Sequence, residues 1–352
     1  MTRSRIIGTG SFVPQRILSN NELERIVETN DEWITRRTGI KERRIASKGK
    51  RESTTDLATQ AAENALRMAG VNAEDLDMIV VGTVTPDRQF PSTGCMLQTA
   101  IGASQAAAFD ISAGCSGFLY ALTMADNAIR AGTSRCALVV GAERLSTIVN
   151  WQDRSTCVLL GDGAGAVVMA GSTNGNGVLS THLRSDGAFW DLLYASYESC
   201  YLPESLACID LKPFQLKMEG NRLFKRAVNC LSTIAEKALA ENGLASSDIH
   251  LMIPHQANIR IILAMAQTIG IPMEKVYTNL DRYGNTSSAS IPIALDEANR
   301  AGLIKDGDML LLVSFGAGLT WGASIIKWGS HNHNEKGQSL LQSGADLDSI
   351  RK

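Results

Sequence analysis

The sequence predicts an α/β protein made of two related halves stacked as α/β/α/β/α layers, and three observations predict it. The first is an internal repeat: residues 62–81 resemble residues 235–254 at a constant spacing of 173, each reading as a helix, a glycine stop and a buried strand. The second is a further match at a spacing of 170, between residues 114–132 and 284–302. Each of these is followed by an apolar run, at 137–140 and 309–313. The third is the alternation of helical patterns with short apolar runs in both halves, the pattern of crossover units in a largely parallel, helix-covered sheet. Residues 1–184 are taken as the N-terminal half, 185–329 as the C-terminal half and 330–352 as a polar tail.

In chain order, residues 5–13 read as a strand ended by Pro14, and residues 20–29 as a helix capped by Ser19 or Asn20. Between 36 and 51 stand eight basic residues (Arg36, Arg37, Lys41, Arg43, Arg44, Lys48, Lys50, Arg51) against one acid, Glu42. That run is either a local anion site or a solvated loop. An apolar run then ends at Ile111, a turn of small residues follows, and a helical pattern begins with Cys115 in its first turn. Free N–H groups and the helix dipole stabilise a thiolate there, and such sites lower a cysteine pKa from ~8.5 to about 3.5–7.5. A lone cysteine where strand meets helix is equally a packing residue.

The 170-residue spacing places Asn285 at the position equivalent to Cys115, after a glycine and at a helix start. His255 directly follows the apolar run 251–254, at the carboxyl end of a strand where open α/β folds assemble sites. Taken alone it is a satisfied strand-end residue or an acid, base or hydrogen-bond donor. The symmetric placement of all three groups favours the second reading. Residues 189–214, aromatic and turn-rich, read as an entrance loop or flap.

Composition sets outer bounds. In 352 residues the formal net charge is −2, so no global basic field favours nucleic acid. Seven cysteines without CxxC pairs argue against a disulfide framework or a structural zinc, and fit a reducing cytosol. No apolar run approaches the ~20 residues of a membrane span, and the N-terminal stretch lacks a signal-peptide core. A cytoplasmic protein with no metal and no membrane attachment is expected.

Several motifs, in order, carry a family resemblance. They are Ile6-Ile-Gly-Thr-Gly-Ser11, Asp31-Glu-Trp-Ile34, Arg37-Thr-Gly-Ile40, Ala-Gly-Cys-Ser-Gly around Cys115, Gly161-Asp-Gly-Ala-Gly-Ala166, His255-Gln-Ala-Asn-Ile-Arg260, Gly284-Asn-Thr-Ser-Ser-Ala-Ser290 and Ser314-Phe-Gly-Ala-Gly-Leu-Thr-Trp-Gly322. Over about residues 5–328 the chain resembles β-ketoacyl-acyl carrier protein synthase III. The resemblance implies a thiolase fold, an internally duplicated five-layer architecture working as a homodimer. It implies an acyltransferase that initiates fatty-acid synthesis without a cofactor. An acyl-coenzyme A, acetyl-coenzyme A being the expected donor, loads Cys115; malonyl-acyl carrier protein then loses carbon dioxide, and the carbanion attacks the acyl-cysteine to give a 3-oxoacyl product.

By the same resemblance, His255 and Asn285 donate hydrogen bonds to the enolate, and the backbone N–H groups of Cys115 and Ala317 form an oxyanion hole. Trp33 and Arg154 sandwich the adenine of coenzyme A with Arg37 near its phosphates, and Asn221 and Asn258 contact the pantetheine arm. Gln256, Ala257, Asn258, Ile259, Arg260 and Lys225 meet the carrier protein. Phe90 reaches across the dimer to the partner's acyl pocket.

Some features depart from the family pattern. The 189–214 stretch, with Cys200 and Cys208, reads as longer than usual, and the tail is additional. Gln267 and Thr268 stand where lysines often meet the carrier protein, so docking leans on Arg260, Lys225 and Arg222 or Arg226. A degradative thiolase needs a second catalytic cysteine near the C-terminus, and the last one here is Cys230. A cysteine hydrolase lacks this duplication, and a non-catalytic carrier-binding homologue is expected to lose the cysteine. The competing reading is a ketosynthase III-like enzyme or acyltransferase of secondary metabolism, with another acyl donor or acceptor.

Overall fold

The computed structural model describes residues 3–47, 49–195 and 216–329. Lys48, Cys200, Cys208, residues 196–215 of the expected flap and the tail from 330 lie outside the described residues.

The first half runs β1 (Arg3–Phe12), β2 (Ile17–Ser19), α1 (Asn20–Leu23), α2 (Asp31–Thr38), β3 (Glu42–Arg44), α3 (Thr54–Ala69), β4 (Met78–Gly82), α4 (Thr93–Ile101), β5 (Ala107–Ile111), α5 (Gly117–Arg130), β6 (Cys136–Arg144), α6 (Arg154–Cys157) and β7 (Asp162–Ser172). The second runs β8 (Gly177–Ser185), β9 (Leu193–Ala195), β10 (Leu216–Met218), α7 (Gly220–Glu241), β11 (Leu251–Pro254), α8 (Ile259–Ile269), α9 (Leu280–Tyr283), α10 (Ser290–Arg300), β12 (Met309–Gly316) and β13 (Thr320–Lys327).

The two main sheets repeat one strand order. The first is β1-β7-β6-β4-β5 and the second β8-β13-β12-β11, with a single bridge between Met252 and Val276 in the place of β5. The sheets are mixed rather than largely parallel: β4 pairs in parallel with β5 and β6, and β11 with β12, while the remaining pairs are antiparallel. The reason lies in the connections. Helical crossovers link the parallel strands, whereas β12 returns as β13 through residues 317–319 with no helix between. Because β8 pairs with β13, the chain changes sheets at residues 174–177, ahead of the division after 184 read from the sequence.

Five layers follow from where the apolar faces lie. The apolar stripes of α5 and α10 (Leu119, Leu122, Ile129; Ile291, Leu295, Ala298) are buried between the sheets against Val80, Val139, Ile253 and Leu312. The outer face of the first sheet is covered by α3, whose row Ala58, Ala61, Ala62, Ala65 and Ala69 has no bulk to hold the helix away. A Ser53–Asp56 capping box starts α3 and Gly70, in the left-handed region, stops it. The outer face of the second sheet is covered by α7 and α8.

The helix expected over 20–29 is only the short α1, since the chain turns after Leu23 and Asn30 caps a separate helix, α2. Among the described residues no helix is long and apolar enough to cross a membrane.

Candidate active site

Cys115 lies in a 3₁₀ turn, Gly114–Ser116, that leads from β5 into α5. Gly114 holds φ 55°, where a side chain is strained, and a Cβ there would stand 2.6 Å from the Ala317 nitrogen. From the other side, a Cβ on Gly316 would stand 2.4 Å from the Cys115 nitrogen. Two glycines thus let the Gly114–Cys115 and Gly316–Ala317 backbones pack against each other. The Ser314 hydroxyl donates to the Cys115 carbonyl at 2.8 Å and the Thr320 hydroxyl to the Ala113 carbonyl at 2.7 Å, which fixes the turn to the second sheet.

Cys115, Asn285, Ser287 and Ala317 meet in one cavity of about 420 Å³. Its remaining wall is largely aliphatic, including Leu145, Ile148, Leu160, Leu193 and Met218, and Trp190 and Tyr194 also line it, stacked edge to face. The Cys115 thiol keeps some exposure to this cavity, yet protein packs around it closely. Burial therefore pushes the thiol up to about 11 despite a hydrogen bond with the Ser287 side chain. The lowered value expected from the helix start is not what the free protein has, because desolvation outweighs the local donors.

Asn285 is held through its backbone: its N–H donates to Leu159 O at 2.8 Å and its carbonyl accepts from Gly161 N at 3.0 Å. Its Oδ1 accepts from Ser287 N at 2.8 Å. His255 directly follows β11 in a buried position; it does not line the cavity. Its Nδ1 lies 2.7 Å from Ser290 Oγ, which also accepts from Gln256 N. Burial pulls the imidazole down to about 4, so it is neutral at pH 7.

Behind the cysteine lies a group that sequence reasoning passed over. Glu143, at the end of β6, is fully buried. Its carboxyl accepts from Thr85 Oγ1, from Thr83 Oγ1 at 3.3 Å, from Val84 N at 3.2 Å and from Ser287 Oγ at 3.1 Å. Burial pushes it up to about 7 against those hydrogen bonds. Ser287 itself sits at φ 49°, the positive-φ non-glycine residue among those described. The one signal in the sequence is an acid closing an otherwise apolar strand.

Two stretches of the chain match family models for 3-oxoacyl-[acyl-carrier-protein] synthase III, residues 109–187 and, for its C-terminal part, 239–328. A β-ketoacyl-[acyl-carrier-protein] synthase III of Caldanaerobacter subterraneus subsp. tengcongensis is 52% identical over 323 residues, covering 92% of this chain and 97% of its own. The chain belongs to the β-ketoacyl-acyl carrier protein synthase III family. The crystal structure of the synthase III from Aquifex aeolicus VF5 superposes with a TM-score of 0.86 at 47% identity, over 92% of this chain and 100% of that one. The priming β-ketosynthase of the R1128 polyketide pathway also superposes at 0.86, with 35% identity over 93% and 96% of the two chains. As a synthase III, the chain has the thiolase fold and is an acyl-transferring condensing enzyme that initiates fatty-acid synthesis.

The other residues expected in a synthase III are distributed as follows. The Arg154 and Arg37 guanidinium groups lie 4.9 and 5.1 Å from the Trp33 ring centre, and Arg154 also donates to Glu28 O. A purine between Trp33 and Arg154 needs roughly twice the ~3.5–4.0 Å contact distance, so Arg154 must swing away first. Asn221 is exposed in the first turn of α7, and Asn258 caps α8 by accepting from Arg260 N at 2.9 Å. Ala257 and Ile259 are half-buried, Lys225 and Arg260 exposed, with Arg260 over the Phe224 ring. Arg222 pairs with Glu219, and Arg226 lies over Phe189.

Two expectations are corrected. Gln256 is 1% exposed, its amide donating to Pro254 O and Tyr277 O and accepting from Asn279 N, so its side chain cannot meet a carrier protein. Arg43 is no part of a surface anion site: fully buried, it donates to Leu18 O, Asn20 Oδ1 and Val158 O and thereby ties down the segment that holds Asn285. Phe90 is 83% exposed and does not line this chain's own cavity.

Proposed function

We propose that both half-reactions take place on Cys115, with Asn285 donating from the cavity wall and His255 from outside it. An acyl-coenzyme A transfers its acyl group to Cys115 Sγ and leaves as the thiol; malonyl-acyl carrier protein then decarboxylates, and the resulting carbanion attacks the acyl-cysteine. The observation that carries this is the pair of fixed, neutral donors. Asn285 commits its Oδ1 to Ser287 N, which leaves its NH₂ for a ligand. Ser290 Oγ, which accepts from Gln256 N, holds His255 through Nδ1 and leaves Nε2 for a ligand; with its proton on Nε2 the neutral imidazole is an N–H donor. Neutral donors suit an enolate oxygen, whose charge appears only as carbon dioxide leaves. The N–H groups of Cys115 and Ala317, brought together by Gly114 and Gly316, serve the acyl-transfer oxyanion.

Trp33, Arg37 and Arg154 receive the nucleotide of coenzyme A, and Asn221 and Asn258 the pantetheine arm. Ala257, Ile259, Arg260 and Lys225 form the carrier-protein face. The protein works as a cytoplasmic homodimer with no cofactor: β5 is an unpaired sheet edge, and Phe109 on it and Phe90 near it are exposed. A second reading, priming of a secondary-metabolite pathway, is favoured by the likeness to the R1128 ketosynthase.

Incubation with a panel of acyl-coenzyme A donors and malonyl-acyl carrier protein, followed by intact-mass analysis, tests the proposal. An acyl adduct on Cys115 and a 3-oxoacyl-carrier product are expected. Release of free acid or an ester, or an unmodified Cys115, would overturn it.

A further inference from the structure

The thiol proposed as nucleophile is protonated in the free protein, and the neutral imidazole of His255 is already tied to Ser290. Loading therefore needs another group to take the Cys115 proton. One polar path leads away from the sulfur: Ser287 lines the same cavity as Cys115 and its hydroxyl acts on the thiol, and Ser287 Oγ donates to Glu143 Oε1 at 3.1 Å. Ser287 is held between the two at φ 49°, a backbone cost that persists only where the surroundings enforce it and that gathers at functional sites. Its N–H is pinned by Asn285 Oδ1, and the neighbouring Ser288 hydroxyl donates to Gly82 O at 2.8 Å.

Among the described residues no cation forms a salt bridge with Glu143. The groups acting on its carboxyl are the hydroxyls of Thr85, Ser287 and Thr83 and the Val84 N–H, donated from the segment after β4 and from the Ser287–Ala289 turn. The titratable neighbour is Cys115 itself, while Arg144, next along β6, acts on Asp162 instead.

We propose that Ser287 and Glu143 form a proton relay that activates Cys115 for acyl loading, an inference that rests on Cys115 being the acyl acceptor. As Sγ attacks the thioester carbonyl, the S–H proton passes to Ser287 Oγ while Ser287 gives its own proton to Glu143 Oε1. The new C–S bond forms and the carbonyl π pair moves to oxygen. On collapse the C–S bond to coenzyme A breaks, and Glu143 releases a proton through Ser287 as coenzyme A departs as the thiol. Ser287 stands in the cavity wall with the reacting sulfur; Glu143 acts through it. A carboxyl titrating at about 7 is half ionised at working pH, so it can both take and return the proton.

The test is rapid-quench loading with acetyl-coenzyme A, read as the Cys115 adduct by intact mass from pH 5.5 to 9. In the native protein the loading rate should rise through about pH 7, as Glu143 ionises. In Glu143→Gln that rise should vanish and loading at pH 7 should fall by about 10²–10⁴-fold, with the KM for acetyl-coenzyme A unchanged and partial recovery in Glu143→Asp. Ser287→Gly removes the hydroxyl while relieving the left-handed backbone, so its thermal midpoint should hold or rise as loading slows comparably; a merely structural serine would not separate the two. Loading of Ser287→Gly at the native rate, with the native pH profile, overturns the relay alone. Absence of any adduct on the native protein overturns the nucleophile and the relay together.

Discussion

The turns that open α5 and α10 are the same device used twice. Each begins with a glycine at positive φ, 55° at Gly114 and 65° at Gly284, passes through a 3₁₀ turn and enters a helix buried between the sheets. They differ in what stands after the glycine. Cys115 comes immediately, its backbone against Gly316, so the first turn offers a thiol and N–H groups. In the second, Asn285 turns its Oδ1 back onto Ser287 N, so that turn offers a side-chain donor and a hydroxyl. A duplicated backbone supplies two convergent helix starts, and the residue after each glycine, a thiol at Cys115 and an amide at Asn285, sets the roles proposed for the two halves.

Exchanging the chemistry of the first turn is the most severe way to break this comparison. Cys115→Ser should abolish the acyl adduct, a loss of about 10⁴-fold or more, because a serine hydroxyl stays protonated and attacks thioesters poorly. Condensation at a near-native rate would show that the nucleophile lies elsewhere. On the donor side, His255→Ala and Asn285→Ala should each slow malonyl decarboxylation by about 10²–10³-fold while loading of Cys115 falls much less. Radiolabelled carbon dioxide release set against adduct formation separates the two; the reverse pattern would exchange the roles of the halves.

The backbone device itself is sharpened by Gly114→Ala and Gly284→Ala. Their Cβ atoms would lie 2.6 Å from Ala317 N and 2.7 Å from Leu159 O, so each should cost about 1–3 kcal/mol of stability. Denaturant unfolding measures this, and a cost at only one of the two would deny their equivalence. The smallest effect belongs to the outer surface. Arg260→Glu should raise the KM for malonyl-acyl carrier protein and flatten its salt dependence, with acetyl-coenzyme A loading nearly unchanged, because exposed charges mainly set encounter rate. Steady-state kinetics at two salt concentrations decide it.

The layers and the Cys115, Asn285 and His255 positions were legible because duplication leaves a period in the sequence, and helix starts and strand ends are local signals. Strand direction was not: hydrophobic runs look alike whichever way β7 or β13 travels, so a mixed sheet read as a largely parallel one. Glu143 and Ser287 lie 144 residues apart, and neither carries a local pattern that announces the other. Gln256 and Arg43 misled for one physical reason. Their polar groups are satisfied by backbone carbonyls and amides of distant loops, so residues that sequence places on a surface are structural pins. The desolvation of the Cys115 thiol was not legible because a helix start is visible in sequence, whereas the packing around it is not.

The central layer also makes the two halves depend on each other. The apolar stripe of α5 is covered by the second sheet and by α10, and that of α10 by the first sheet and α5. A half made alone would show that stripe to water. The contact between the two halves is therefore an interior that neither half can keep from water alone. The two segments on either side of residues 174–177, produced as separate chains, should be insoluble singly and regain a soluble complex only when made together.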